Sequence, residues 1–174
     1  MMIRPARDAD LDPIARIYDE ILDLEDARPV SYTNWQRGRY PTRDTARQAL
    51  EEGTLWVLEE EGAVCGCVNL NGEQLPEYAN IPWQYAAQDN EVGVIHTLVI
   101  HPAWSGKGKA RELVAFCEEH CRQQGKRVIR LDTYVNNQPA NSMYPRLGYR
   151  FAGTSHFLFQ GFLPEDLNCY EELL

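Results

Sequence analysis

Apolar residues recur along this chain in two rhythms, one near every third or fourth position and one near every second. The stretch "DADLDPIARIYDEIL" sets Leu11, Ile14, Ala15, Tyr18 and Ile21 or Leu22 on one stripe behind aspartates suited to a helix start, after the short strand-like "IRPAR". "TRDTARQALEEG" predicts a second helix closed by Gly53, and "LWVLEEEGAVCGCVNLN" a hairpin that turns at Glu60 to Gly62. "VGVIHTLVI", from Val92 to Ile100, carries too many apolar residues for a wet face, which predicts a central strand in a covered sheet. Next, "KARELVAFCEEHCRQQ" aligns Ala110, Leu113, Val114, Cys117 and Cys121 on one helical face and stops at Gly125. "KRVIRLDTYV" predicts a strand, "PANSMYPRLG" a short helix interrupted by Pro145, and "YRFAGTSHFLFQ" with "NCYEELL" a closing antiparallel pair. The order predicts an α/β fold centred on a strand–loop–helix–strand unit. The segment "GEQLPEYANIPWQYAAQDNE" has no clean period and reads as a long excursion of the functional kind.

Composition narrows the class. A chain of 174 residues, 44% hydrophobic and 25% charged, fits one globular domain over residues 1–174. No apolar run reaches the length of a membrane helix and the N-terminus lacks a leader-like apolar region, so a cytoplasmic protein without a membrane partner is expected. Five scattered cysteines, Cys65, Cys67, Cys117, Cys121 and Cys169, match neither a disulfide framework nor zinc spacing and are expected as buried thiols, with no metal. The net charge of −9 argues against nucleic acid as a partner and suits a cationic small substrate.

The most informative stretch is "VIHTLVIHPAWSGKGKA", Val94 to Ala110, where a strand passes through a glycine-rich turn into a helix. The first N–H groups of a helix lack intrahelical partners and carry partial positive charge, so such a turn can hold phosphate. Gly106 and Gly108 allow close approach, and Lys107 and Lys109 add local positive charge to an acidic chain. The P-loop pattern is absent, and Arg111 stands where a dinucleotide fingerprint needs its third glycine.

These residues resemble the pyrophosphate motif of the GNAT superfamily of acetyl-CoA-dependent acetyltransferases, Gln/Arg-x-x-Gly-x-Gly/Ala, with Ser105, Gly108 and Ala110 at the matching positions. Downstream, "LDTYVNNQPANSMYPRLGYRFAG" is similar to the family's second cofactor motif through Asn137, Ala140, Tyr144, Gly148 and Tyr149. The resemblance spans about Val92 to Gly153 and implies a GNAT-like acyl-CoA N-acyltransferase fold, a twisted mixed sheet flanked by helices, with acetyl-CoA between the strand at Val92 to Ile100 and the strand at Arg127 to Val135. Ser105 departs from the usual Gln or Arg, which leaves the pyrophosphate to Lys107 and the loop amides of Ser105, Gly106, Gly108, Lys109 and Ala110.

The resemblance also implies roles. Leu98, Val99 and Ile100 would pair with the pantetheine arm as with an added strand, one amide polarising the thioester carbonyl. Asn137 would contact the same arm or an ordered water, Ala140 belongs with it to the cofactor-binding set, and Tyr144 would give its proton to the leaving thiolate. An alkylamine is only about 0.1% neutral at pH 7, so a base is needed, and His96 on the central strand suits proton transfer near neutrality. Glu91 and Asp89, working through water, are the other candidates. Trp35, Tyr40, Trp83 and Tyr85 are candidate aromatic walls for a small-molecule amine acceptor. The reaction expected is direct acetyl transfer to such an amine; a peptide or protein amine, a catalytically silent acyl-CoA-binding module and an unrelated nucleotide-phosphate binder are the alternatives. The resemblance carries an expectation of a homodimer.

Overall fold

A computed structural model describes all residues, Met1 to Leu174. Seven strands form one sheet: β1 (Met2–Pro5), β2 (Leu55–Glu60), β3 (Ala63–Asn71), β4 (Val92–Ile100), β5 (Val128–Tyr134), β6 (Arg150–Phe159) and β7 (Leu163–Leu173). Their order is β1-β2-β3-β4-β5-β7-β6, with β4 and β5 parallel and the pairs β1–β2, β2–β3, β5–β7 and β6–β7 antiparallel. Four α-helices accompany the sheet: α1 (Leu11–Ala27), α2 (Arg43–Glu51), α3 (Lys109–Gln123) and α4 (Gln138–Arg146). The α/β class expected from the periodicities and the mixed sheet implied by the resemblance are present. No helix is long and apolar enough to cross a membrane.

The chain divides into two compact units. The first holds Met1–Arg28, Trp35–Leu70 and His96–Cys117; the second holds Pro29–Asn34, Asn71–Ile95 and Glu118–Leu174. In the first, α1 buries Leu11, Ile14 and Tyr18 of the predicted stripe, and Ile17 outside it, against Ala46 and Ala49 of α2 and Leu55 and Val57 of β2, while Ala15 of the stripe is half-buried. Arg4 on β1 ties this unit together through Asp10 at 2.8 Å and Glu59 at 2.8 Å. Gly66 on β3 is there for close approach: a methyl group in its place would sit 2.8 Å from the carbonyl oxygen of Val99 on β4 and 2.7 Å from the Ile100 side chain.

The core of the second unit gathers Tyr78, Ile81, Val92, Val94, Phe157, Leu167 and Cys169. The excursion at 71–91 supplies Tyr78 and Ile81 from a short 3-10 turn, Pro76–Asn80, so much of it is packed rather than loose. Its anchor is Glu171 on β7, fully buried, whose carboxylate accepts from the N–H groups of Gln84 at 2.9 Å and Tyr85 at 2.9 Å and pairs with Arg150 at 2.7 Å. Arg130 on β5 completes the anchor by donating to the Gln74 side chain at 2.6 Å and the Tyr85 carbonyl at 2.9 Å. β7 is longer than the predicted "NCYEELL", beginning at Leu163. All five cysteines are buried and none is in a disulfide.

Candidate active site

In the first unit, β4 does not run straight. Thr97 has a φ of +46°, a left-handed conformation that is an outlier for a β-branched residue in the middle of a strand. Such strain persists only where surrounding contacts enforce it. Here the Tyr40 hydroxyl bonds the Thr97 hydroxyl, and Tyr40, itself only 4% exposed, is held edge-on by Trp35 at 5.9 Å. Tyr40 therefore spends its hydroxyl on shaping β4. His96 precedes the turned residue and is half-buried; Leu98 and Ile100 are half-buried and Val99 is buried.

After β4, His101 closes the strand by donating its N–H to the Cys65 carbonyl at 2.8 Å, and its ring nitrogen accepts from the Ala103 N–H at 3.0 Å. A 3-10 turn, Pro102–Trp104, leads into the glycine loop. Gly106 and Gly108 have φ of +73° and +77°, with open space where a side chain would project. Both glycines are thus required by backbone conformation, and the space over them is free. The first bond of α3 runs from the Glu112 N–H to the Gly108 carbonyl at 3.1 Å, so the helix geometry leaves the N–H groups just before it without intrahelical acceptors. Ser105 to Gly108 are exposed.

The two lysines of the loop divide. Lys107 is exposed, its ammonium 4.8 Å from the centre of the Trp104 ring. Lys109 is buried and paired with Glu60 and, at 3.2 Å, with Glu112; the bond to Glu60 holds its ammonium above the usual range. The charge expected of both lysines therefore falls to Lys107, because Lys109 is neutralised within the wall. Ala110 follows as the second residue of α3.

In the second unit, β5 ends at Tyr134 and α4 begins two residues after Asn136. Asn137 is its N-cap: the side-chain oxygen accepts from the Ala140 N–H at 3.2 Å, with Pro139 in the first turn. Asn141 fixes the helix to the sheet, donating to the Tyr134 carbonyl at 3.0 Å and the Asn137 carbonyl at 2.9 Å while accepting from the Tyr170 hydroxyl at 2.8 Å. Tyr144 comes next on that helix, 5% exposed, its ring 5.4 Å from that of Tyr149 and 5.9 Å from that of Tyr170. Trp83 and Tyr85 lie in the excursion. Trp83 stacks on the Arg130 guanidinium at 4.4 Å and donates its indole N–H to the Tyr78 carbonyl at 2.8 Å, while the Tyr85 backbone is bound by Glu171 and Arg130. Trp83 is thus a packing residue of the excursion.

The expected residues accordingly fall in two sets, one running from His96 to Ala110 with Trp35 and Tyr40, the other Asn137, Ala140 and Tyr144 with Trp83 and Tyr85. Sequence reasoning missed Thr97, Asn141 and two carboxyls of the second unit, half-buried Asp132 and buried Glu165. Asp132 on β5 accepts from the Tyr78 hydroxyl at 2.7 Å, and burial pushes its carboxyl up to about 6. Glu165 on β7 accepts from the Asn34 side-chain amide at 3.3 Å, and burial pushes its carboxyl up to about 7.

Comparison with known proteins places this geometry. The Acetyltransferase (GNAT) family pattern matches residues 18–149. An aminoalkylphosphonate N-acetyltransferase of Salmonella typhimurium is 32% identical over 98 residues, 56% of this chain and 55% of that protein. An aminoglycoside N(6')-acetyltransferase type 1 of Stenotrophomonas maltophilia is 25% identical over 130 residues, 72% of this chain and 84% of that protein. The matches to the first two curated relatives span 57% and 55% of those proteins' lengths. Among solved structures, a GNAT-family acetyltransferase of Streptococcus agalactiae superposes with a TM-score of 0.80 at 20% identity, over 99% of this chain and 95% of that one. The acetyltransferase yncA of Salmonella typhimurium, solved with its cofactor acetyl-CoA, gives a TM-score of 0.70 at 21% identity over 100% and 94%. A strand–glycine loop–helix unit, a mixed seven-stranded sheet and a family match over most of its length converge: this chain belongs to the GNAT family of acetyltransferases.

Proposed function

We propose that the chain is an N-acetyltransferase that takes its acetyl group from acetyl-CoA and transfers it directly to an amine of a small molecule, as a single working domain. The observation that carries this reading is the loop at Ser105 to Ala110, with two left-handed glycines opening onto free space at the start of α3. The residues fit the donor: loop amides and the exposed Lys107 suit a pyrophosphate, and the backbone of Leu98, Val99 and Ile100 suits an extended amide-bearing arm. When bound, acetyl-CoA supplies a thioester open to attack by nitrogen. The names of the relatives from Salmonella and Stenotrophomonas, which specify small amine-bearing acceptors, support the choice of substrate class.

This chain's own groups then have three tasks. Thr97 turns the strand just beyond Ile95, the last β4 residue in register with β5, and a β4 N–H there would polarise the acetyl carbonyl. Tyr144 holds a proton on its phenol at neutral pH and gives it to the departing thiolate. One of the candidates His96, Glu91 and Asp89, or one of the carboxyls Asp132 and Glu165, removes the proton that would otherwise block the amine, a barrier of about 4 kcal/mol at pH 7.

Acetyl-CoA at 100 times its Kd is expected to add about 2.7 kcal/mol of stability, raising the thermal midpoint by about 5–10 °C, with ATP inert at the same concentration. No shift at millimolar acetyl-CoA would end this reading; a shift with ATP alone would replace it with a nucleotide-phosphate binder.

A further inference from the structure

On the sheet face that the 71–91 excursion covers, β5 and β7 present four charged side chains. Directly opposed residues of an antiparallel pair lie on one face, and Arg130 opposes Glu171 while Asp132 opposes Cys169. Alternation along β7 then places Glu165 with Leu167, Cys169 and Glu171 on this same face. Glu171 is matched by Arg150 and two N–H groups, and Arg130 by Gln74, the Tyr85 carbonyl and the Trp83 ring, its Nε alone left without an acceptor. Glu165 is treated differently. It is 6% exposed, no lysine, arginine or histidine lies within salt-bridge distance, and its hydrogen bond is to the neutral amide of Asn34. A carboxylate is expensive to bury without a cation, and here the chain supplies none.

Its place in the sheet is as informative as its surroundings. β7 pairs with β5 up to Tyr134 opposite Leu167, and the Val135 N–H donates to the Asp166 carbonyl at 3.2 Å. Glu165 therefore stands at the carboxyl end of β5, one of the two parallel strands, beside the segment that leads through Asn137 into the helix bearing Tyr144. Ligands of open α/β sheets bind beyond the carboxyl ends of parallel strands. The sequence-derived carboxyls are committed elsewhere: Glu91 caps its own turn from the Gln88 N–H at 2.9 Å, and Asp89 accepts from Gln74 at 3.1 Å.

We propose that Glu165 takes the proton from the acceptor amine, its carboxylate meeting an ammonium group that supplies the cation the chain lacks; this rests on the acetyltransferase reading above. One proton passes from the ammonium nitrogen to the carboxylate, giving a neutral amine and a carboxylic acid. The nitrogen bonds to the acetyl carbon as the carbon–sulfur bond breaks, Tyr144 protonates the thiolate and is restored by the second nitrogen proton, which leaves as the amide forms, and the Glu165 proton returns to water. The groups facing Glu165 set when it ionises. Asn34 stabilises the charged form, Phe157 across the β6 ladder is apolar, and Asp132, with Tyr78 on it and Glu77 nearby, adds negative charge that favours the protonated form. His156 and Asp166 pair with each other on the opposite face.

The test is the pH profile of kcat/KM for CoA-thiol release, with an aminoalkylphosphonate, an aminoglycoside and a simple alkylamine offered as acceptors. The wild-type rate is expected to rise with pH through a midpoint near the ionisation of Glu165, at about 7. Glu165→Gln is expected to lose that limb and about 100-fold in kcat/KM while keeping the acetyl-CoA thermal shift. Asn34→Ala, which removes the donor but keeps the carboxyl, is expected to move the midpoint to higher pH, a change that a purely structural role would not produce. A Glu165→Gln enzyme with wild-type rate and profile overturns the assignment and leaves the acetyltransferase reading standing; loss of the limb in His96→Gln instead gives the role to His96. A wild-type protein that binds no acetyl-CoA and turns over none of the amines overturns both.

Discussion

Tyr144→Phe is expected to lower kcat by about 10²- to 10⁴-fold and to leave the acetyl-CoA thermal shift intact. The substitution removes one oxygen and keeps the ring, so the packing on Tyr149 at 5.4 Å and Tyr170 at 5.9 Å survives, and the Asn141 bonds that fix α4 are untouched. What disappears is the proton offered to the leaving thiolate. Single-turnover thiol release, measured beside thermal shift, separates the outcomes. Loss of rate with retained binding fits an acid. Retained rate would remove Tyr144 from the chemistry, and a wild type that binds but never releases thiol would identify a silent acyl-CoA-binding module.

The largest effect on stability is expected at Glu171. Glu171→Ala would strand two N–H groups and the Arg150 guanidinium, and would leave Arg130 on the same face without its opposing charge. Arg150 is partly solvated, so the cost comes mainly from the two stranded N–H groups and the unopposed Arg130, about 2–4 kcal/mol, which for a chain of this size lowers the thermal midpoint by about 4–16 °C. Chemical denaturation with intrinsic fluorescence reads this directly, since Trp83 sits on the excursion that Glu171 holds. A loss under about 1 kcal/mol would mean that Tyr78, Ile81 and the Arg130 bonds anchor the excursion without Glu171.

What the sequence disclosed and what it hid follow a physical division. Local periodicity was readable: the stripe of α1, the stripe of α3 and the apolar run of β4 are each set by neighbours a few residues apart. So was the Asn137-to-Ala140 spacing, because a cap and its third helical residue are local by nature. Partners fixed at long range were not. Lys109 reads as free charge beside a phosphate loop, yet it meets Glu60 from another strand. Thr97 reads as an ordinary strand former, and only Tyr40, distant in sequence, reveals that it is turned. The start of β7 reads as a loop because Pro164, Glu165 and Asp166 are poor strand residues, which concealed a buried carboxyl in plain view.

The burial of all five cysteines has a practical side. A thiol reacts as its thiolate, and desolvation pushes Cys67 up to about 12 and Cys121 up to about 11 and raises Cys65 and Cys169 as well, while Cys117 is fully enclosed. A disulfide reagent added to the native protein should therefore find almost nothing to titrate until CoA thiol is released, so turnover can be followed against a dark background. The same reagent should count five equivalents once the chain unfolds. In one cuvette the colour reports catalysis while the fold holds, and the loss of the fold when it does not.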